Sequence, residues 1–308
     1  KNQSVMERAK IKTFRLLVQT VFVFASISLF ATKAPSQKIQ KDQNQGLEKS
    51  EAITNVDDYL KRQQSQIYQT LQTLLNQATK DSKYPEVNKL TNNLWALSTS
   101  NPKVKWRENQ GEKEFLMVTW INLSGAWETS IKSKVNQRIT LDQLTKGNRV
   151  WLTAFPQVKE FCHACKGLRL NLPNQVMLPL RLQQYLGLRL ESRKTYFVEM
   201  WVKENDLGRP CIDSEINDSS CNLLPSKIPK SQQNLFNIQQ ESLAYPWTGL
   251  GYTYDWGYPQ KPHIGASEFI TRGTIPKDIE VEIVSVTKTE EYCDNKYLKD
   301  DGGGSDGI

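Results

Sequence analysis

Between Tyr245 and Ile270 the chain concentrates side chains able to do chemistry. Trp247, Tyr252, Tyr254, Asp255, Trp256, Tyr258, His263 and Glu268 fall there, with Gly249, Gly251, Gly257 and Gly265 among them. Aromatic rings offer stacking and CH–π surface to a nucleobase, a nicotinamide or a sugar ring, and glycine lets the backbone approach closely. Trp247, Tyr252, Tyr254, Asp255, Trp256 and His263 are therefore the expected ligand-binding residues. The same alternation beside glycine turns also fits core and hairpin positions. Asp255 and Glu268 are a candidate carboxylate pair for glycoside hydrolysis, a chemistry that depends on a separation sequence does not give. His263, Ser267 and Asp255 supply the residue types of a hydrolase triad, but no GxSxG elbow accompanies them.

Five cysteines carry the second chemistry: Cys162, Cys165, Cys211, Cys221 and Cys293. Cys162-His163-Ala164-Cys165 is a CxxC, compatible with zinc, redox or disulfide chemistry. A structural zinc site wants a second close pair, and Cys211 and Cys221 are too far apart along the chain to supply it. Disulfides are expected instead. Cys211–Cys221 should close the polar loop PCIDSEINDSSC, and Cys293 should pair with Cys162 or Cys165, with Cys165 the candidate for the thiol left over. Asp213, Glu215 and Asp218 in that loop lack the ligand ladder of an EF-hand, so no metal site is expected.

Glu268 gains a sharper reading from its surroundings. GASEFITRGT followed by EVEIVSV resembles the catalytic-glutamate strand of ADP-ribosyltransferases, over about 20 residues. The resemblance implies that Glu268 is the catalytic carboxylate, that NAD is bound, and that Tyr252 or Tyr254 stacks on nicotinamide. The glutamate would hold the ribose 2′-hydroxyl and stabilise an oxocarbenium-like transition state. Arg149 would match the family's NAD-gripping basic residue, whereas Ala266 stands where the family carries a second Glu or Gln. This enzyme reading requires Glu268, a tyrosine and a basic residue in one cleft. The reading without it is a binding or envelope-associated module that needs no cofactor.

The elements that must position these residues follow from periodicity. Val56, Leu60, Ile67, Leu71, Leu74, Leu75 and Ala78 predict an amphipathic helix capped by Thr54 or Asn55. A second helix is expected after Pro85, burying Val87, Leu90, Leu94 and Leu97, so that 54–100 forms a helical hairpin. EFLMVTWIN (114–122), RVWLTAF (149–155) and KTYFVEMWV (194–202) read as strands; GYTYDW, SEFIT and EVEIVSV add three more. PQVKEFC (156–162), residues 177–186 with Gly187 as the stop, and residues 234–243 read as short helices. Strands and helices that do not alternate strictly imply an α+β fold with a mixed or antiparallel sheet over 101–298. GxGxxG and GxxxxGK[ST] do not occur in the sequence.

Lys10, Lys12 and Arg15 precede an uncharged run from Leu16 to Thr32, the pattern of a signal peptide or signal anchor over 1–34. Residues 35–53 read as a polar linker and 299–308 as a flexible tail. An exported chain, periplasmic or secreted, is expected, touching membrane only through its N-terminal segment. The net charge of +7 is largely the leader's, since residues 1–50 carry nine basic against three acidic residues. With no basic stripe or recognisable module in the remainder, nucleic-acid binding is not expected.

Overall fold

The computed structural model describes residues 55–83, 86–145, 150–165, 172–223, 245–272 and 278–294. The expected signal segment, linker, tail, the helix at 234–243 and Arg149 lie outside them. The fold is α+β. An eight-stranded antiparallel sheet runs in the order β3-β10-β5-β2-β4-β9-β6, with β1 added beside β2. Its strands are β1 (Trp106–Asn109), β2 (Glu112–Ile121), β3 (Arg138–Thr140), β4 (Trp151–Ala154), β5 (Tyr196–Lys203), β6 (Leu207–Gly208), β9 (Phe269–Thr271) and β10 (Glu280–Lys288); β7 (Tyr252–Tyr254) and β8 (Ile264–Ser267) pair separately. The helices are α1 (Val56–Gln63), α2 (Ser65–Ser82), α3 (Gly125–Lys132), α4 (Leu141–Thr145), α5 (Gln157–Cys165), α6 (Asn174–Tyr185) and α7 (Thr289–Tyr292).

β2 is the organising strand. Its apolar residues point to both faces, because helices and loops cover each side of the sheet. Phe115 and Met117 join Val198, Met200, Val281 and Ile283 in a core under α3 and α4. Val118 and Trp120 join Phe161, Tyr185 and Phe197 in a second core under α1, α2, α5 and α6. One edge of β2 pairs with β5 from Glu114 to Ile121. The other edge is shared in series: β1 takes Glu112 to Phe115, and β4 takes only Met117 and Val118. Beyond Val118 the strands β2 and β4 part, and this parting decides where the site lies.

The N-terminal helical pair forms with different bounds from those the periodicity predicts. Asn55 caps α1 through a hydrogen bond from the Asp57 amide, and Gln64 breaks the helix before α2 begins. Leu60, Leu75 and Ala78 then enter the same core as Phe161, so the pair is docked on the sheet domain. The helix expected after Pro85 is corrected: Val87–Lys89 is a single 3-10 turn with Val87 exposed, followed by extended chain. Local asparagines (Thr91-Asn92-Asn93) favour turns over helix. Tertiary partners also claim the backbone donors, with Leu94 N–H bonding to Ser219 O, Leu97 N–H to Ile216 O and Trp95 N–H to the Ser267 hydroxyl.

Two disulfides staple the fold, Cys162–Cys293 and Cys211–Cys221, and Cys165 is a buried free cysteine. The first joins α5 to the residue after α7, and the second closes the loop after β6. In the chain-entropy model a closed loop as long as the first stabilises by about 4–5 kcal/mol. None of the described helices is long and apolar enough to cross a membrane.

Candidate functional site

A cavity of about 580 Å³ opens where β2 and β4 part. Residues 118–122 of β2 and its end form one wall, 150–153 of β4 a second, and Leu186–Leu188 with Tyr245–Trp247 a third. Four indoles line it: Trp120, Trp127, Trp151 and Trp247. Gly187, at φ +64°, turns the chain out of α6 against this wall; a Cβ there would meet the Tyr254 amide nitrogen at 3.3 Å. Only glycine adopts this conformation at little cost while letting the backbone approach so closely.

One acidic and one basic side chain line the cavity, among threonine hydroxyls, the Asn122 amide and the Tyr245 phenol. Glu268, between β8 and β9, is 8% exposed, and its Oε2 has no hydrogen-bond partner among the described residues. Burial pushes its carboxyl up to about 8, with the Trp247 indole N–H working in the opposite direction. Lys194 is half-buried in the wall, and burial holds its ammonium below the usual lysine range. Thr253 also lines the cavity, but its hydroxyl donates to Tyr185 O at 2.6 Å and accepts from the Ala266 amide. The Trp120 indole N–H donates to the Thr289 hydroxyl at 2.9 Å, fixing its ring.

The expected ligand-binding residues divide. Trp247 lines the cavity together with Glu268. Tyr252, Tyr254, Asp255, Trp256 and His263 do not line this cavity. Tyr252 donates to Lys89 O and Tyr254 to Asp81 Oδ2, both at 2.8 Å. Burial raises both phenols, the Asp81 carboxylate adding to the effect on Tyr254. Asp255 is fully buried and takes both arms of the Arg181 guanidinium, at 2.8 and 2.6 Å. Trp256 donates to Leu188 O at 2.9 Å, and His263 stacks on Tyr254 at 4.8 Å with its imidazole lowered by burial. These residues fasten the β7–β8 hairpin to α2 and α6. The Tyr252 and Tyr254 hydroxyls, the Trp256 indole N–H and both Asp255 oxygens are engaged by the protein itself.

Other candidates can be placed as well. His163 sits on α5 with Nδ1 at 3.2 Å from Cys293 O, next to the first disulfide. Carboxylate oxygens of Asp213, Glu215 and Asp218 gather within 4.8 Å of one another, but those of Asp213 accept from Asn222. Sequence reasoning missed Trp120, Trp127, Trp151, Lys194 and Tyr245. Trp120 and Trp151 stand in strands the sequence does predict, yet nothing local says that the two strands diverge beside them. Comparison with family models, with curated proteins and with solved structures finds no match for this chain.

Proposed function

We propose that the chain is a small-molecule binding module of an exported protein and that its ligand occupies the indole-lined cavity. The observation that carries this reading is Glu268: a carboxyl more than nine-tenths buried, lining a cavity, with one oxygen unmatched by the protein. Most buried polar groups in folded chains are satisfied, and an unmatched carboxyl on a residue that lines a concave site supports a partner that arrives from outside. The volume lies in the range of small-ligand sites. Two disulfides suit an oxidising, extracytoplasmic compartment, which is where the N-terminal segment would send the chain.

A second reading, ADP-ribosyltransferase-like chemistry on NAD, is favoured by one observation: Glu268, Tyr245 and Lys194 line a single cavity. The tyrosine is then Tyr245, and Tyr252 and Tyr254 have no part in it. Two features weigh against this reading. Ala266 stands two residues before Glu268, where that family carries a second Glu or Gln. NAD also carries a diphosphate, and Lys194 is the only cationic side chain among the described lining residues.

The test uses the full chain and anilinonaphthalene sulfonate, a fluorescent probe with an aromatic body. Saturable, one-to-one enhancement that disappears when the cavity is filled by Thr153→Trp, and by Leu188→Phe in a second variant, is expected. Far-UV circular dichroism must match the parent for the comparison to count. Probe binding unchanged by both substitutions overturns the assignment. Nicotinamide release from NAD, abolished in Glu268→Gln, would replace the binding reading with the enzymatic one.

A further inference from the structure

The cavity holds two ionisable groups of opposite sign, and the sheet register keeps them apart. Glu268 directly precedes Phe269, which pairs with Leu152, so it stands level with the next row of the sheet, Thr153 with Val118. Lys194 precedes Thr195, whose amide donates to Ile121 O and whose hydroxyl accepts from the Leu123 amide. It therefore stands at the far end of β2, level with Asn122 and the loop beyond. From Val118 to Asn122 the strand advances about 13 Å. The two residues also lie on opposite sides of β2, Glu268 across β4 and Lys194 on the β5 side. Neither makes an ion pair among the described residues, although both line one cavity.

An ionised group in an apolar cavity is costly without a partner, and there are two remedies: losing the charge, or meeting its complement. The fold moves both groups toward the first remedy, Glu268 raised and Lys194 lowered, in each case chiefly by burial. A ligand with a single charge satisfies one end and leaves the other as costly as before. A ligand with a cation at one end and an anion at the other satisfies both, and its body lies against Trp120, Trp151 and Trp247. At the Glu268 end, Trp247 adds an aromatic ring, a surface on which organic cations are also stabilised.

On the reading that the cavity is the binding site, we propose that its ligand is an elongated amphoteric molecule, seating a cationic nitrogen at Glu268 and an anionic group at Lys194. This specifies both a chemical class and an orientation. It also assigns Lys194 a role in binding, one that neither its position in the sequence nor the resemblance of Glu268 to a catalytic glutamate provides.

The experiment measures binding of ω-amino acids of increasing chain length to the full chain by calorimetry. The unbranched amine, carboxylic acid and alcohol of matching length serve as single-charge and neutral probes. One chain length is expected to bind about tenfold or more tightly than its matching amine or acid, the effect of one additional charged hydrogen bond. Glu268→Gln should erase the advantage over the acid, and Lys194→Met the advantage over the amine, while alcohol binding persists in both. Lys194→Arg should retain the preference. Equal binding of amine, acid, alcohol and ω-amino acid would overturn the amphoteric class and leave the cavity as a site. Binding of none of the probes, the alcohol included, would remove the cavity reading itself. A preference that survives Thr153→Trp places the probe elsewhere and overturns the proposal.

Discussion

Asp255 and Glu268 stand in the same aromatic-rich stretch, both are buried, and they meet opposite fates. Asp255 receives two hydrogen bonds from Arg181 and a third from the Gly257 amide, in a position with no exposure. Glu268 faces a cavity with an oxygen unmatched by the protein. Burial works against the Arg181 guanidinium, yet Asp255 holds it above its usual range. Among the described residues no cation pairs with Glu268, and the Trp247 indole N–H works only partly against its burial. The lesson is that a dense cluster of aromatic and ionisable residues does not in itself mark a site. Between these two carboxylates, the one with its oxygens taken by Arg181 and Gly257 holds the fold, and the one with an unmatched oxygen stands beside the cavity.

The largest expected effect is on the fastened carboxylate. Asp255→Asn should lower unfolding free energy by about 3–5 kcal/mol, because Arg181 loses its carboxylate in the interior. Urea unfolding measures this, and a loss below about 1 kcal/mol would erase the contrast with Glu268. Replacing both partners by apolar residues, Arg181→Met with Asp255→Leu, should recover most of the loss.

Next comes the pH dependence of Glu268. Its carboxyl is raised from 4.5 to about 8 in the folded chain, so between those values the folded state holds a proton that the unfolded state has released. Its contribution to stability is full below the unfolded value, declines as pH rises through the window, and levels off above the folded value. Glu268→Gln should flatten that decline, a difference on the order of a few kcal/mol between the two ends. Denaturation midpoints of both proteins across the window provide the check. Parallel profiles would show that Glu268 is ionised and satisfied, contrary to its place in the comparison.

The smallest effects sharpen the boundary between the two regions. Tyr254→Phe deletes the hydrogen bond to Asp81 and should cost about 1 kcal/mol of stability while leaving probe binding in the cavity intact. Trp247→Phe should do the reverse, weakening probe binding with little change in the unfolding midpoint. Paired thermal unfolding and fluorescence titrations on the two variants separate these outcomes. A shared loss of both properties would merge the regions.

Much of the framework was legible because it rests on local pattern. The dense β-branched and aromatic runs at 114–122, 194–202 and 280–286 become β2, β5 and β10. Gly187 ends α6 as its position predicts, and the short polar loop between Cys211 and Cys221 closes. Residues 90–97 were not legible, because their apolar spacing fits a helix while the partners of their amides lie more than a hundred residues away. Tyr252 and Tyr254 were legible as buried hairpin residues or as ligand contacts, but their hydrogen-bond acceptors, Lys89 O and Asp81, lie too far away in the chain for sequence to name.

The sequence by itself determined the α+β class, the principal strands, the oxidising chemistry of the cysteines and the stretch that contains Glu268. Periodicity, turn residues and cysteine spacing are local properties, and they act before the chain closes on itself. Tertiary structure alone decided that Asp255 meets Arg181 and that β4 leaves β2 after two paired positions, and it brings the expected Cys162 and Cys293 together across 131 residues. Each of these depends on register and packing between segments far apart in the chain. A cavity is the space such segments fail to fill, so its walls, and the opposed charges of Glu268 and Lys194 within it, exist only once the sheet has formed.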